Sequence, residues 1–372
     1  MTAVSLDKPA RHHDDHHFDL ARAARTSPHD LQAHLLDGVS RTFALTIPVL
    51  PPGLTDVVAN NYLLCRIVDT IEDEPALSSE QKSLYCRRFA AVVKTGTGAR
   101  EFCDDLAPLL SAQTIPAEHE LVACTPQVIS ITAGFSAAQR QALTRCIDVM
   151  SEGMTRFQNR DQAHGLADLD ELGQYCYYVA GIVGETLTRL FCEYSRDIAR
   201  HEQEMMPLAV SFGQGLQMTN ILKDIWDDRA RQACWLPRDV FEKTGVGLQE
   251  LIDGEYRDEF GHALSRLIGV AAGHLRNALR YTLMIPGHET GLRNFCLWAI
   301  GMAILTLRKL HAHPRFRSGS EVKITRRSVR ATVKVCHYAA AHDGLLKAIF
   351  GLAITRLPFH SQPVGYPNVN GT

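Results

Sequence analysis

The chain has 372 residues, with 39 Lys and Arg against 41 Asp and Glu and a formal charge of −2. Hydrophobic residues make up 45% and charged residues 22%, the proportions of a globular protein that is long enough to bury a large core. Near-neutral charge excludes a nucleic-acid partner that is bound by neutralising phosphates. The sequence has no uninterrupted apolar run of about eighteen residues or more, so we expect no membrane-spanning helix.

The cysteines and the N-terminal residues predict a cytoplasmic location. Ten cysteines are scattered from Cys65 to Cys336 with no C-x-x-C pair, as is typical of free thiols in a reducing compartment. The N-terminus has no apolar segment of the kind that secretory signals contain. Four histidines between residues 12 and 17 would allow a metal-binding tail, but a solvated, disordered extension is the favoured interpretation.

From residue 31 onward the hydrophobic pattern is helical. Long stretches rich in Ala and Leu repeat at helical spacing, and none alternates with the period of a strand. Turn-forming residues interrupt the pattern at 47–53, 74–79, 95–98, 111–116, 284–291 and 313–320. We therefore predict an all-α fold of ten or more helices, organised as a polar tail over 1–30, one helical domain over 31–360 and a short tail over 361–372.

One predicted helix, over residues 61–74, carries acidic side chains on a single face. Helical spacing places four residues on this stripe, with a fifth beside them: Tyr62, Arg66, Asp69 and Asp73, and then Glu72. A second predicted helix, over residues 217–228, carries a similar continuous stripe of Gln217, Asn220, Asp224 and Asp228. The residues between these positions are largely apolar, so both stripes are expected on helices that belong in the interior.

Buried carboxylates without partners are costly, so two such stripes indicate compensating cations. Ligands that are all oxygen, with no His or Cys interleaved, suit Mg²⁺ rather than Zn²⁺ or haem, and Mg²⁺ commonly bridges carboxylates to phosphates. One alternative is that the stripes are solvated surface faces paired with Arg or Lys. A di-iron bundle is a second alternative, but it would need Glu-x-x-His pairs, which the sequence does not supply.

Five motifs follow one another along the chain. They are SRTF at 40–43, Y-x-x-x-R-x-x-D-T-x-E-D at 62–73, YCYYVAG at 175–181, Q-x-x-N-x-x-x-D-x-x-x-D at 217–228 and WLP at 235–237. In kind and order they resemble the motifs of the squalene/phytoene synthase family of head-to-head prenyl transferases. The resemblance implies a single-domain isoprenoid-synthase bundle around a central prenyl-binding cavity, and a role in isoprenoid and lipid biosynthesis.

The resemblance also implies a reaction and a set of site residues. Two farnesyl diphosphates would be joined through presqualene diphosphate to squalene, with Mg²⁺ held by Asp69, Glu72, Asp73, Asp224 and Asp228. Tyr175 would handle the proton that is lost, so the implied catalytic residues are Tyr175, Asp69, Asp73, Asp224 and Asp228. The implied substrate-binding residues are Ser40, Arg41, Phe43, Tyr62, Arg66, Gln217 and Asn220. Candidate apolar wall residues are Phe43, Val179, Leu187, Phe212, Leu216 and Phe295.

Features near the C-terminus resemble squalene synthases more than phytoene synthases. Asn294-Phe295-Cys296 and Val322-Lys323-Ile324 imply a flexible lysine loop and NADPH as the reductant, with Arg41, Arg66, Lys223 and Lys323 as its phosphate contacts. A departure weakens this implication, because Thr325 stands where eukaryotic squalene synthases usually have an arginine. The alternatives are an enzyme that makes presqualene diphosphate, dehydrosqualene or phytoene without reduction, and a non-catalytic lipid-binding or assembly relative. The retained acids argue against the last.

The apolar stretch from Gly344 to Phe359 is relevant to location. It carries two cations and could dock on a bilayer surface, which would make the protein peripheral at a membrane. A core-packing helix is the favoured interpretation of the stretch. The sequence leaves open the prenyl chain length and the oligomeric state.

Overall fold

The computed structural model describes residues 26–40, 42–158, 164–251 and 257–359. Within these ranges the protein is helical, with one isolated β-bridge between Leu166 and Pro237, and the predicted all-α class is confirmed. The α-helices are α1 (Pro28–Val39), α2 (Phe43–Thr46), α3 (Pro52–Asp73), α4 (Ser79–Thr95), α5 (Ala99–Leu106), α6 (Pro116–Ala123), α7 (Thr125–Ala133), α8 (Ala137–Gln158), α9 (Leu169–Cys176), α10 (Ile182–Tyr194), α11 (Arg196–Ala199), α12 (Glu202–Lys223), α13 (Ile225–Ala230), α14 (Arg238–Glu242), α15 (Asp258–Met284), α16 (Thr290–Ala312), α17 (Gly319–Val322), α18 (Arg326–Ala339) and α19 (Asp343–Ile354). Short 3₁₀ turns lie at Ile47–Val49, Ala107–Leu109 and Leu248–Glu250, and a π-helical turn lies at Tyr177–Gly181.

The helix boundaries follow local sequence chemistry. Helix α1 begins at Pro28, before the predicted domain start at residue 31, because the Ser27 hydroxyl accepts a hydrogen bond from the Asp30 N–H. Ser78 and Gln81 form a capping box at the start of α4, and Gly96 ends that helix with φ of +70°. Residues 1–25 and 360–372, which include the histidine-rich segment and the predicted C-terminal tail, lie outside the described residues.

Two large apolar cores meet along the middle of the protein. One is built mainly by α1, α3, α4 and α8, and the other mainly by α12, α15 and the residues between α13 and α15. Val149, Val179 and Phe212 pack against both cores, so they lie at the boundary between the two. Helix α12 runs along this boundary and packs extensively on α15, α10 and the π-helical turn.

Glycines set the spacing around α12. A Cβ atom at Gly213 would overlap the carbonyl oxygen of Ala180, and one at Gly184 would overlap the carbonyl oxygen of Ala209. The backbone of α12 therefore lies directly against the π-helical turn and the start of α10. The close approach of these backbones therefore depends on glycine at both positions.

Helix α16 is the one described helix that is long and apolar enough to cross a membrane. Its most apolar stretch of 18 residues is 67% buried inside the protein, as expected of a helix in the core. The buried guanidinium of Arg293 near its start donates hydrogen bonds to the carbonyl oxygen of Ile285 at 2.8 Å and to Asp343 at 2.7 Å. These contacts fix α16 to the beginning of α19. All ten cysteines are free thiols, as the sequence predicts.

Candidate active site between two acidic groups

The predicted stripe on α3 is the least buried side of the helix. Over residues 61–73 every side chain is buried except at the five stripe positions, which are Tyr62, Arg66, Asp69, Glu72 and Asp73. We call Asp69, Glu72 and Asp73 the first acidic group. Because they occupy the last turn of α3, all three carboxylates lie at one end of the bundle.

The first acidic group is only partly compensated by cations. Arg66 pairs with Asp69 at 3.8 Å and more closely with Glu118 of α6. Glu72 Oε1 is buried and has no hydrogen-bond partner. Burial, together with the neighbouring carboxylates, raises the pKa of Asp69 to about 7 and the pKa of Glu72 to about 8. At both carboxyls the effect of burial therefore outweighs the opposing positive charge, which comes from Arg66 at Asp69 and from Lys82 at Glu72.

The second acidic group, Asp224 and Asp228, lies on a broken helix. The sequence predicts one continuous helix over 217–228, but this is wrong, because α12 ends at Lys223 and α13 begins at Ile225. Asp224 is the junction residue, with φ of −101° and ψ of 13°, and its carboxylate pairs with Lys223 at 3.0 Å. Burial raises the pKa of Asp228 to about 6, with Asp224 and Asp73 adding to the shift and Arg231 opposing it.

Arg231 connects the two acidic groups. Its guanidinium donates to Asp228 Oδ1 at 2.8 Å and lies 3.9 Å from Asp73 Oδ1. The first and second acidic groups, predicted from segments about 150 residues apart, therefore face each other across one arginine. Arg231 itself is 61% exposed, so it lies at the solvent side of the gap.

Tyr175 lies close to both acidic groups. Its ring is buried, stacks on Trp235 at 4.0 Å between centroids and contacts Phe157 edge-on. Burial raises the pKa of the phenol well above its usual value, and the charges of Glu72, Asp73 and Asp228 raise it further. The Tyr175 hydroxyl is therefore held in its protonated form next to the acids.

Half-buried apolar side chains continue inward from the acidic groups. We call them the apolar seam: Val179, Val183 and Leu187 at helical spacing on one side, and Phe212 and Leu216 on α12. From Phe212 onward along α12, the positions that are not fully buried are first apolar, at Phe212 and Leu216, and then polar, as at Gln217 and Asn220. The last of them, just past the helix, is the acidic Asp224. Polarity therefore rises along a single direction, from the interior towards the acidic end.

The remaining predicted residues divide into three sets. Ser40 accepts a hydrogen bond from the Phe43 N–H at 3.0 Å and bonds the Tyr62 phenol, while the Phe43 and Tyr62 rings lie 4.8 Å apart. These three residues form one cluster on α2 and α3. Phe295, a predicted wall residue, is buried against Phe191. Arg41 lies outside the described residues.

The segment that contains Lys323 lies against the second acidic group. The Gly319 N–H donates to Asp227 Oδ2 at 3.2 Å, and a Cβ at Gly319 would lie 2.7 Å from Asp224 Oδ1. Lys309 holds the end of the segment by donating to the carbonyl oxygen of Lys323 at 2.7 Å. The side chain of Lys323 is exposed. The structure therefore brings the predicted lysine segment next to Lys223 and Asp224.

Three contributors to the site were not predicted. Glu118 pairs with Arg66, Arg231 joins the two acidic groups, and Gly319 allows close approach to Asp224. Arg231 carried a weak sequence signal, since it follows the second stripe by three residues. Glu118 and Gly319 are distant in sequence from their partners, and no local pattern marks them.

The two acidic groups suit Mg²⁺. They supply oxygen donors alone, one of them the unpartnered Glu72 Oε1, and three of the acids have raised pKa values that a cation would lower. Among the described residues no three His, Cys, Asp or Glu side chains converge on one point. Each ion would therefore take one or two carboxylates and complete its shell with water or phosphate oxygens, as is usual for Mg²⁺.

Comparison with known proteins identifies the family. The sequence model of the squalene/phytoene synthase family matches residues 36–328. The chain therefore belongs to the squalene/phytoene synthase family, and its all-α fold agrees with this assignment.

Individual relatives agree with this assignment. The squalene synthase of Yarrowia lipolytica is 29% identical over 303 residues, covering 78% of this chain and 64% of the relative, and that of Rattus norvegicus is 30% identical over 275 residues, covering 73% and 61%. The chain thus spans less than two thirds of the length of these relatives. The fold resembles a ligand complex of TcSQS with TM-score 0.71 at 22% identity, covering 91% of this chain and 94% of that one. It also resembles a dehydrosqualene synthase with TM-score 0.62 at 16% identity, covering 86% and 97%.

Proposed function

We propose that this protein is a squalene synthase, which condenses two farnesyl diphosphates head to head through presqualene diphosphate to squalene. The observation that carries the proposal is the pair of acidic groups facing each other across Arg231 at one end of the apolar seam. This arrangement suits a substrate with a diphosphate head and a long apolar tail. Family membership and relatives named squalene synthase support the same reaction.

The proposed Mg²⁺ ligands are the five acids of the two groups: Asp69, Glu72, Asp73, Asp224 and Asp228. Bound Mg²⁺ would supply the positive charge that offsets the negative charge developing on the departing diphosphate. Arg66 and Lys223 now pair with Asp69 and Asp224, and we assign both to phosphate oxygens when substrate is present. The same role is proposed for Arg41.

Polar and aromatic residues next to the acids would position the substrate. Gln217 and Asn220 lie between the apolar positions of α12 and the acidic residue at its end. The first carbons and the diphosphate of a prenyl chain would lie at this level. Ser40, Phe43 and Tyr62 form the matching cluster on α2 and α3. We assign these five residues to substrate binding.

Tyr175 is proposed to handle the proton that leaves when the cyclopropane ring closes. Its phenol is protonated and buried, and the stack on Trp235 fixes the direction of the ring. A protonated hydroxyl can pass one proton outward while accepting another, with released diphosphate as the final base. The apolar seam would exclude water from the carbocation, which water would otherwise quench.

NADPH is the proposed reductant and would supply the hydride for the second half of the reaction. The support is the placement of the Lys323 segment, where Gly319 brings the chain against Asp224 and next to Lys223. Lys323 has an exposed side chain on this segment, so its ammonium is available to a phosphate group. With Arg41 and Arg66, Lys223 and Lys323 form the proposed cofactor set.

Product analysis tests the proposal. The protein is incubated with farnesyl diphosphate and Mg²⁺, with and without NADPH, and the products are extracted and identified by mass spectrometry. Squalene that forms only with NADPH is the expected result. Presqualene diphosphate or dehydrosqualene in both reactions, with squalene in neither, would contradict the reductive step, while no product at all would contradict the enzymatic assignment.

Replacing Lys323 by Ala should lower the ratio of squalene to unreduced products, because the lysine is assigned to the cofactor and not to the diphosphate of the substrate. We expect about a tenfold lower ratio, the loss typical of one charge-assisted contact. The measurement is the product ratio at limiting NADPH, with Lys94→Ala on the exposed face of α4 as the matched control. A parallel fall of all products in Lys323→Ala would contradict the assignment.

The proposed location is the cytoplasm, since the ten thiols are free. A peripheral contact with a membrane through the C-terminal stretch is compatible with this location.

A further inference from the structure

Exposed apolar side chains are concentrated on the last two helices. Among the described residues eight large hydrophobic side chains are exposed, and five of them lie between residues 335 and 359. These five are Val335, Tyr338, Leu345, Leu352 and Phe359. Tyr338 is 78% exposed and Leu352 is 75% exposed, the two largest values among the eight.

The arrangement of these side chains follows helix geometry. On α19, Leu346 and Ile354 are buried in the fold, whereas Leu345, Ala348 and Leu352 lie at spacings of three and four on the exposed side. On α18, Val333 is buried and Val335 and Tyr338 are exposed. Both helices pack on α16, so their exposed sides point away from the protein. The sequence favoured a core-packing helix over 344–359, and the structure shows a helix that is apolar on both its buried and its exposed sides.

Positive charge accompanies the apolar side chains. Residues 326–359 contain six Lys and Arg and one acid, Asp343, although the whole chain has a formal charge of −2. Asp343 pairs with the buried Arg293, so its charge is neutralised. Exposed cations on the two helices include Arg327, Lys334 and Lys347. Solvated apolar residues interleaved with cations are the pattern of surfaces that bind anionic bilayers.

We propose that α18 and α19 form a docking face for an anionic lipid bilayer, with Tyr338, Leu345 and Leu352 inserted at the level of the headgroups. Single exposed hydrophobic residues are ordinary, but four on one pair of helices, with Phe359 just beyond them, mark an interaction surface. A bilayer is favoured over a protein partner because the segment combines a net positive charge with exposed aliphatic and aromatic side chains on two neighbouring surface helices.

The docking face adjoins the candidate site along the chain. Helix α18 begins directly after the Lys323 segment, whose Gly319 contacts Asp227 beside the second acidic group. The docking face is therefore continuous in sequence with a wall of the candidate site. Bilayer binding itself is independent of the proposed reaction, so the two can fail separately.

Vesicle co-sedimentation of the full chain tests the docking face in the absence of substrate. The vesicles are pure phosphatidylcholine, or equal parts of phosphatidylcholine and phosphatidylglycerol. We expect clear binding to the mixed vesicles and at least about tenfold weaker binding to phosphatidylcholine alone. The double variant Leu345→Glu/Leu352→Glu should bind the mixed vesicles at least about tenfold more weakly than the unmodified chain.

Control variants separate this explanation from others. Leu84→Glu replaces a leucine on α4 that is 45% exposed and should leave vesicle binding unchanged. Lys334→Glu/Lys347→Glu should weaken binding to the mixed vesicles by about fivefold or more for each reversed charge, without a comparable effect on pure phosphatidylcholine. Circular dichroism checks that each variant is folded.

Three results would overturn the docking face. They are no binding of the unmodified chain to mixed vesicles, an equal loss in Leu84→Glu, or a dimer in light scattering that Leu345→Glu/Leu352→Glu converts to monomer. The third result would show that a second copy of the chain covers these helices.

Discussion

Replacing Asp69 or Asp224 by Asn should reduce product formation from farnesyl diphosphate by about 100-fold or more, the effect typical of removing one group that stabilises transition-state charge. The two variants affect different acidic groups, so equal losses would show that both groups serve diphosphate release. Stability should not fall, because Asn keeps the shape of Asp while removing a charge that burial and neighbouring acids disfavour at position 69. The measurements are turnover at saturating Mg²⁺ and the thermal midpoint.

Asp56→Asn is the matched control for Asp69→Asn. Asp56 lies on the same helix, α3, near its other end, where it pairs with His29 at 2.8 Å. The control should keep normal turnover. Mg²⁺ with inorganic diphosphate should raise the thermal midpoint of the unmodified protein and of Asp56→Asn but not of Asp69→Asn, since a ligand stabilises only the form that binds it. Near-normal turnover in Asp69→Asn or Asp224→Asn would refute the metal assignment.

Replacing Gly213 by Ala should destabilise the protein by about 1–3 kcal/mol, the usual cost of an added methyl group in a closely packed interior. The added Cβ would overlap the Ala180 carbonyl oxygen, and a backbone atom cannot move aside as a side chain can. Because Ala180 belongs to the π-helical turn that follows Tyr175, the turn must shift, and turnover should fall as well. Urea unfolding measures the first effect and steady-state assays the second.

Gly351→Ala provides the comparison for Gly213→Ala. Gly351 lies inside α19, and a Cβ there would meet no atom within 4 Å. Ala in place of Gly should therefore raise stability by about 0.5–1 kcal/mol through the lower entropy of the unfolded chain. If Gly213→Ala were as stable as Gly351→Ala, the close approach of α12 to the π-helical turn would be wrong.

Helical spacing alone predicted which residues of α3 share one face, because a regular helix converts sequence separation directly into direction. Each predicted position, from Tyr62 to Asp73, is one of the exposed or half-buried positions in an otherwise buried stretch. The same rule failed at Asp224, where α12 ends and α13 begins. No Gly or Pro marks that break, so a rule based on local breakers could not detect it.

Other features of the site depend on contacts between segments that are distant in sequence, and these the sequence did not predict. Glu118 is 52 residues from Arg66, and Gly319 is 92 residues from Asp227, so neither pairing has a local pattern. The π-helical turn at Tyr177–Gly181 also escapes prediction, since its residues fit an α-helix equally well. Helix α12 packs directly against this turn, a contact that no local pattern predicts.

Arg231 lies between the two acidic groups and offsets the repulsion between them. Its guanidinium contacts Asp73 and Asp228 together, and it is exposed enough to swing away. If Mg²⁺ bound in this gap as proposed, its charge would replace that of the arginine, and the gap would not have to assemble around each incoming ion. Release of diphosphate with its ions would then allow the guanidinium to return. On this proposal Arg231 is the site's own counter-ion, and its removal would slow recovery of the site between turnovers more than it would weaken the binding of substrate.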